Sequence, residues 1–190
     1  GKDGELLTDT GLERRMLLLN DLPGLKARAT LLPGENFGAT SLDVELTEKL
    51  FNAFVGYSNT GTEESGENRI DAGVDINNPL TLGDQINYRR IRSTDDLFRY
   101  ERIGYSIPIG YDGLKVAVST LTTKYDLGGA FESLEISGKV RSSDATLSYP
   151  FVRSRSKNVI GALQYRTTKT EQSVFGTKVS SVELPLTIVS

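Results

Sequence analysis

The sequence predicts a mainly β chain: a small helix-and-hairpin unit, then about eight strands in an antiparallel up-and-down series. Three observations predict it. The stretch "LERRMLLLNDLPGLKARATLLPG", Leu12 to Gly34, reads as a helix, a hard stop and an alternating strand. From Leu50 onward, apolar residues recur at every second position in one run after another. The connections also take turns, long polar ones such as "SNTGTEESGEN", "RSTDD", "KYDLGGAFESLEISGK" and "KTEQSVFGTK" against short ones such as "NNPLTLG", "GYDG" and "RSRSKN". Long loops on one rim and tight turns on the other are the pattern of an up-and-down transmembrane barrel.

The first unit runs from about Gly1 to Lys49. Thr10 and Glu13 have the spacing of a capping box. Leu12, Met16 and Leu19 follow at helical spacing, with Glu13, Arg14 and Arg15 turned outward. Pro23 disfavours helical geometry at Leu22, and Gly24 completes the break. Leu25, Ala27, Ala29 and Leu31 then alternate with Lys26, Arg28 and Thr30; after the loop "PGENFGAT", Leu42, Val44 and Leu46 alternate with Asp43, Glu45 and Thr47. Two period-2 runs around a Pro-Gly loop predict a hairpin with one buried face. One helix on one hairpin is a thin core, so the unit reads as the back half of a larger domain.

The strands follow. Phe51, Ala53, Val55 and Tyr57 share a face, with Phe54 spoiling the alternation; Ile70, Ala72, Val74 and Ile76 oppose Arg69, Asp71, Gly73 and Asp75 more cleanly. Leu114, Val116 and Val118 repeat the theme, and further strands are expected over Asp84 to Arg92, Leu97 to Ile109, Asp144 to Pro150, Val159 to Thr167 and Ser181 to Ile188. Tyr57, Tyr88, Tyr100, Tyr105, Tyr149 and Tyr165 fall near strand ends, as in an interfacial aromatic girdle.

Composition narrows the chemistry. Hydrophobic residues make up 37% and charged residues 25% of the 190, with a net charge of -3. That is too patterned for disorder and insufficiently basic for a nucleic-acid binder. The chain has no Cys, His or Trp and one Met, which excludes zinc sites, thiol nucleophiles and Ser-His triads. Its opening, "GKDGELLTD", has neither the charged nor the apolar region of a signal peptide, so either the protein is cytosolic or a precursor's start is missing. The glycine runs match no phosphate-binding fingerprint, and Asp95-Asp96 reads as a solvated loop pair.

The motifs "LLLNDLPGLKARATLLPG", "GATSLDVEL", "NRIDAGVDINNPLTLGDQI", "YERIGYSIPIGYDGLKVAVSTLTTKYDLGG" and "LSYPFVRSRSKNV" occur in this order. Together they resemble two-partner secretion transporters, outer-membrane pores of the Omp85 superfamily that export haemolysins and filamentous adhesins. The resemblance implies that residues 1–49 end the second polypeptide-transport-associated (POTRA) domain. Residues 50–190 would then be roughly the first half of an antiparallel up-and-down transmembrane β-barrel of about sixteen strands. The family's Val-Arg-Gly-Tyr/Phe motif is absent, since Ser154 follows Val152-Arg153. The chain is therefore expected to be an internal segment that does not secrete by itself. The implied partners are a secreted exoprotein and outer-membrane lipid or lipopolysaccharide. No nucleic acid, small-molecule substrate, cofactor, metal or catalytic residue is implied. A soluble all-β adhesin-like domain and a barrel-assembly relative are the alternatives.

Two groups are candidate sites. An exposed edge of the strand Leu25 to Leu31 can take a strand from an extended substrate. Leu25, Lys26, Ala27, Arg28 and Ala29 would form that track, flanked by Arg14 and Arg15; the same charges also suit an ordinary solvated face. Arg89, Arg90 and Arg92 on one strand face Arg99 and Arg102 on the next, where like charges cost energy. Asp95, Asp96 and Glu101, or the lumen carboxylates Asp71 and Asp75, are the expected partners. An ion-pair network above the membrane competes here with a pore-wall or lipopolysaccharide role, and is favoured because charge on the lipid face is costly.

Overall fold

The structure, a computed structural model, describes residues 9–34 and 40–189. Helix α1 spans Asp9–Asn20. It already contains Thr10, so the capping box expected at Thr10 and Glu13 is misplaced. The Glu13 side chain instead accepts the Arg155 N–H at 2.6 Å. Among the described residues no helix is long and apolar enough to cross a membrane, which leaves strands untouched as a means of crossing.

Strands β1 (Leu25–Pro33) and β2 (Thr40–Glu48) pair antiparallel, from Leu25 opposite Glu48 to Pro33 opposite Thr40. The tip of their loop, 35–39, lies outside the described residues. The expected buried face is buried only at Ala27; Leu31 and Leu46, on the same face, stay more than half exposed. Within the hairpin α1 packs on β1, with Asn20 bonded to Ala27, and three helical turns cannot cover the whole hairpin.

Eight further strands form one sheet in strict sequence order: β3 (Phe51–Ser58), β4 (Arg69–Asn77), β5 (Gln85–Ser93), β6 (Phe98–Ile109), β7 (Leu114–Asp126), β8 (Ser137–Arg153), β9 (Asn158–Val174) and β10 (Thr177–Val189). Every neighbour is antiparallel, and β3 and β10 are its edges. This is the meander the alternation predicts. The structure corrects the loop reading in two places. "KTEQSVFGTK" is the end of β9, a turn at Phe175-Gly176 and the start of β10. "RSTDD" belongs mostly to β5 and a turn over residues 94–97, no longer than the turn over residues 110–113. The polar composition that suggests loops belongs to strands whose upper halves are hydrophilic on both faces.

Register assigns the faces. Directly opposed residues share a face, so Val55, Ala72 and Arg90 line one side, as do Ala53, Val74, Tyr88 and Ile103. Asn52, Asp75, Asn87, Gly104, Ser119 and Asp144 form a row on the other, polar side. Phe54 lies on this polar side because it covers Gly73: a Cβ there would strike its ring. The alternation holds without a slip through Arg89-Arg90 and Glu101-Arg102. In β10 a register shift between Lys178 and Ser180 moves Val182, Leu184, Leu186 and Ile188 onto the polar side, as a one-residue bulge must.

The sheet has no dry interior of its own. Among the described residues Ala27 is the only buried hydrophobic, while Phe51, Val55, Ile70, Ile103 and Leu163 are 48–80% exposed on the apolar side. A sandwich would bury that side under a second sheet.

Candidate functional site

The helix–hairpin unit meets the sheet at a polar hub built on the turn between β4 and β5. Asn77, 2% exposed, donates from Nδ2 to the Lys49 carbonyl at 2.7 Å and from its backbone N–H to the Leu50 carbonyl at 2.7 Å. Its Oδ1 accepts Gln85 Nε2 at 2.9 Å. Asn78 takes the left-handed conformation and its Oδ1 accepts the Gly83 N–H at 2.8 Å. Asp84, fully buried, accepts the Tyr105 hydroxyl at 3.0 Å and the Leu80 N–H at 3.2 Å. Burial pushes its carboxyl up, but those donors, with the backbone at Asp84 and Leu82, hold it below the usual carboxylate range. Gly24, at φ +74°, seats against Lys49 and Asn77, and its carbonyl accepts the Lys49 N–H at 2.8 Å.

Helix α1 is clamped to the same rim. Arg14 donates to the Pro150 carbonyl at 2.9 Å and the Asp112 carbonyl at 3.3 Å. Arg153 makes a two-pronged pair with Asp21, both contacts at 2.7 Å, and also donates to Asn158 at 3.0 Å. Beside these contacts, Leu18, Leu22, Leu25, Leu82 and Pro108 line an open apolar groove of about 710 Å³ between helix and turns. Thus Glu13 and Arg14, expected to point outward, face the barrel turns; Arg15 is exposed at the groove. We expect Asp21→Arg to weaken the clamp by about 0.5–1 kcal/mol, the range for a partly exposed pair. Adding Arg153→Asp should restore it, which a double-mutant cycle in denaturant reads directly.

The candidate track on β1 is partly occupied. Asn20 Oδ1 accepts the Ala27 N–H and its Nδ2 donates to the Ala27 carbonyl, both at 3.0 Å. The side chain therefore mimics one residue of a neighbouring strand at Ala27. By strand alternation, Ala29 and Leu31 present their backbone groups to the same side, beyond Asn20. Lys26, Arg28 and Ala29 are exposed and Leu25 is half-buried.

The arginine group divides. Arg89 and Arg102 stand opposite each other on the polar side. There Arg89 makes a two-pronged pair with Asp71 and lies 5.9 Å from the Phe54 ring centre, and Arg102 donates to Ser119, which donates to Asp144 at 2.8 Å. Asp75 shares that side but none of the ion pairs among the described residues. Arg90, Arg92 and Arg99 fall on the apolar side's upper end. Arg90 meets Glu101 at 3.4 Å, while Arg92 and Arg99 share Asp96. Its hydrogen bond to Arg92 above all, with that to Arg99, holds the Asp96 carboxyl at about 2 against the desolvation that opposes them. Asp95 turns to the Leu97 N–H instead. Sequence reasoning missed Asn20, Asp21, Asn77, Asp84 and Arg153, although "NDLPG", "NNPLTLGDQ" and "YPFVRS" contain them all.

Comparison with known proteins agrees with this architecture. Residues 38–190 match the model of the family described as haemolysin secretion/activation protein ShlB/FhaC/HecB. The chain is 30% identical over 151 residues to the heme/hemopexin transporter protein HuxB of Haemophilus influenzae, covering 79% of this chain and 27% of that protein. It therefore spans about a quarter of that curated relative's length. Its fold superposes on CdiB from Escherichia coli with a TM-score of 0.83 at 21% identity, covering 100% of this chain and 37% of that one. BamA from Haemophilus ducreyi, at 14% identity, gives a TM-score of 0.55 over 93% of this chain and 35% of that one. The likeness gives the open sheet the fold of part of a β-barrel. With four-fifths of its length matched by the family model, the chain belongs to the ShlB/FhaC/HecB haemolysin secretion/activation family.

Proposed function

We propose that this chain is the junction segment of an outer-membrane two-partner secretion transporter. Residues 1–49 end its periplasmic POTRA region and residues 50–190 begin its barrel. The POTRA part captures an extended segment of a secreted exoprotein, and the lumen passes it outward without catalysis. Folding of the passenger outside biases the direction. The observation that carries the reading is the joint one: an antiparallel sheet with an uncovered apolar side, and a helix-and-hairpin unit clamped to its turns. A soluble adhesin-like sandwich needs a second sheet over that side. A barrel-assembly role shares the fold, but the family match covers the secretion transporters.

Capture is proposed at the β1 edge beyond Ala27, by main-chain pairing at Ala29 and Leu31. Arg28 and Lys26 flank it. Ala29→Pro deletes an N–H that the β1–β2 ladder does not use. In the full-length transporter co-expressed with its exoprotein, we expect Ala29→Pro to cut secretion by about tenfold or more, equivalent to ~1.4 kcal/mol of lost pairing. The heat-modifiable barrel should remain in the outer membrane at wild-type level. Undiminished secretion overturns capture at this edge.

A further inference from the structure

The apolar side, outward on the proposed reading, carries a feature that protein transport does not require. Between β6 and β9 lies a groove of about 650 Å³. Val118, Thr120, Ser143 and Ala145 make its floor, and Ile103, Tyr105 and Tyr165 make its walls. Small residues on the two central strands and large ones on the flanking strands create the depth. Register places what comes next. One step up, Glu101, Thr122, Arg141 and Lys169 are directly opposed, with Glu101 taken by Arg90; one step further, Arg99, Lys124, Lys139 and Glu171 are. An apolar slot thus opens upward onto a cluster of cations on the same side of the sheet.

The level of that cluster follows from strand geometry. Lys124 lies ten residues above Leu114, the first residue of β7. Ten residues span about 33 Å of strand, or about 25 Å along the membrane normal at the usual barrel tilt, the height of the apolar band. The cluster therefore sits where outer-leaflet headgroups begin. Charge balance is incomplete there. Arg92 and Arg99 have Asp96, and Lys169 and Lys178 share Glu171 at 3.6 and 3.0 Å. Lys124, Lys139 and Arg141 enter no ion pair among the described residues, although Lys124 and Lys139 are directly opposed. Like charges set opposite each other destabilise a sheet unless an anion lies between them.

We propose that this groove and its cations form a binding site for one phosphorylated, acylated lipid of the outer leaflet, with an acyl chain along Val118 and Ala145 and a phosphate held by Lys124, Lys139 and Arg141. The site rests on the reading of the apolar side as lipid-facing. Headgroup phosphates supply the missing anion, and the groove supplies what a free phosphate does not use.

The test uses the full-length transporter in detergent micelles, with native mass spectrometry reading bound bis-phosphorylated lipid A. Lys124→Ala, Lys139→Ala and Arg141→Ala should each weaken binding about fivefold, and the triple variant about a hundredfold. Lipid A stripped of phosphate should bind like the triple variant. Ala145→Trp, which fills the slot and leaves the cations, should also weaken binding of the intact lipid. Equal binding of phosphorylated and stripped lipid, or an unaffected triple variant, overturns the site. Inorganic phosphate displacing the lipid at millimolar concentration would do the same, by making the acyl groove irrelevant. A cysteine placed at Val116 and labelled with a fluorophore separates the two readings. Quenching by a lipid-phase quencher is expected, and its absence overturns the lipid-facing assignment itself, whatever the lipid A result.

Discussion

Asp84→Ala is expected to give a barrel that loses its native gel mobility at markedly lower temperature than wild type. Asp84 is fully buried and satisfies both the Tyr105 hydroxyl and the Leu80 N–H. Removing it takes a charged acceptor from the half-buried Tyr105 hydroxyl and from the N–H of the exposed Leu80, at about 1–2 kcal/mol each because both bonds are part-buried. The total, about 2–4 kcal/mol, is large beside most single substitutions. Asp84→Asn keeps one acceptor oxygen, enough for one of the two donors, while its amide nitrogen can donate to the Tyr105 hydroxyl; it should recover part of the loss at neutral pH. The two variants also differ in acid. The native carboxyl titrates below its unfolded value near ~3.9, so its contribution is complete above that pH and disappears as pH falls through the native value. Denaturant midpoints by far-UV circular dichroism between pH 7 and 3 should therefore fall less for Asp84→Asn than for wild type. Parallel curves would show that Asp84 is protonated in the native hub.

Gly24→Val should act on coupling more than on the barrel itself. At φ +74° a β-branched residue is strained by roughly 1–3 kcal/mol. Its Cβ would also lie 2.6 Å from Asn77 Nδ2 and against the Lys49 carbonyl, where the obstacle is backbone. The chain escapes by opening the hub, giving up the Asn77 contacts to Lys49 and Leu50. Limited proteolysis of the full-length protein in micelles should show new cleavage near residues 49–50, with the heat-modifiable barrel intact. Protection equal to wild type would mean that the junction accommodates a side chain at Gly24.

What the sequence made legible, and what it did not, divides along physical lines. Strand pairing in a meander is local, so period-2 runs such as Ile70 to Ile76 suffice to place β4 and its neighbours. The upper halves of β7, β8 and β9 are hydrophilic on both faces, so no alternation marks a strand there; residues such as Lys169 to Ser173 then look like loop. The candidate sites fared unevenly for the same reason. Asp71 with Arg89 was visible because both sit on one face of adjacent strands. Arg14 was expected to point outward because no helical pattern reveals that Pro150, 136 residues away, offers it a carbonyl. Asn77 and Asp84 carry turn chemistry in "NNPLTLGD", a signal strong enough to have named them as a structural hub.

The two-residue passage between β2 and β3 has a concentration-like consequence. Lys49 and Leu50 are the whole link between hairpin and sheet, and extended they span at most ~7 Å. On the proposed function, a passenger segment held on β1 is therefore confined to a small volume beside the barrel entrance. Its next encounter, with the lumen wall, becomes a unimolecular event at an effective concentration of order millimolar, which no dilution of the exoprotein in the periplasm can lower. Lengthening that link with glycine and serine would leave both binding surfaces untouched and slow the handover between them.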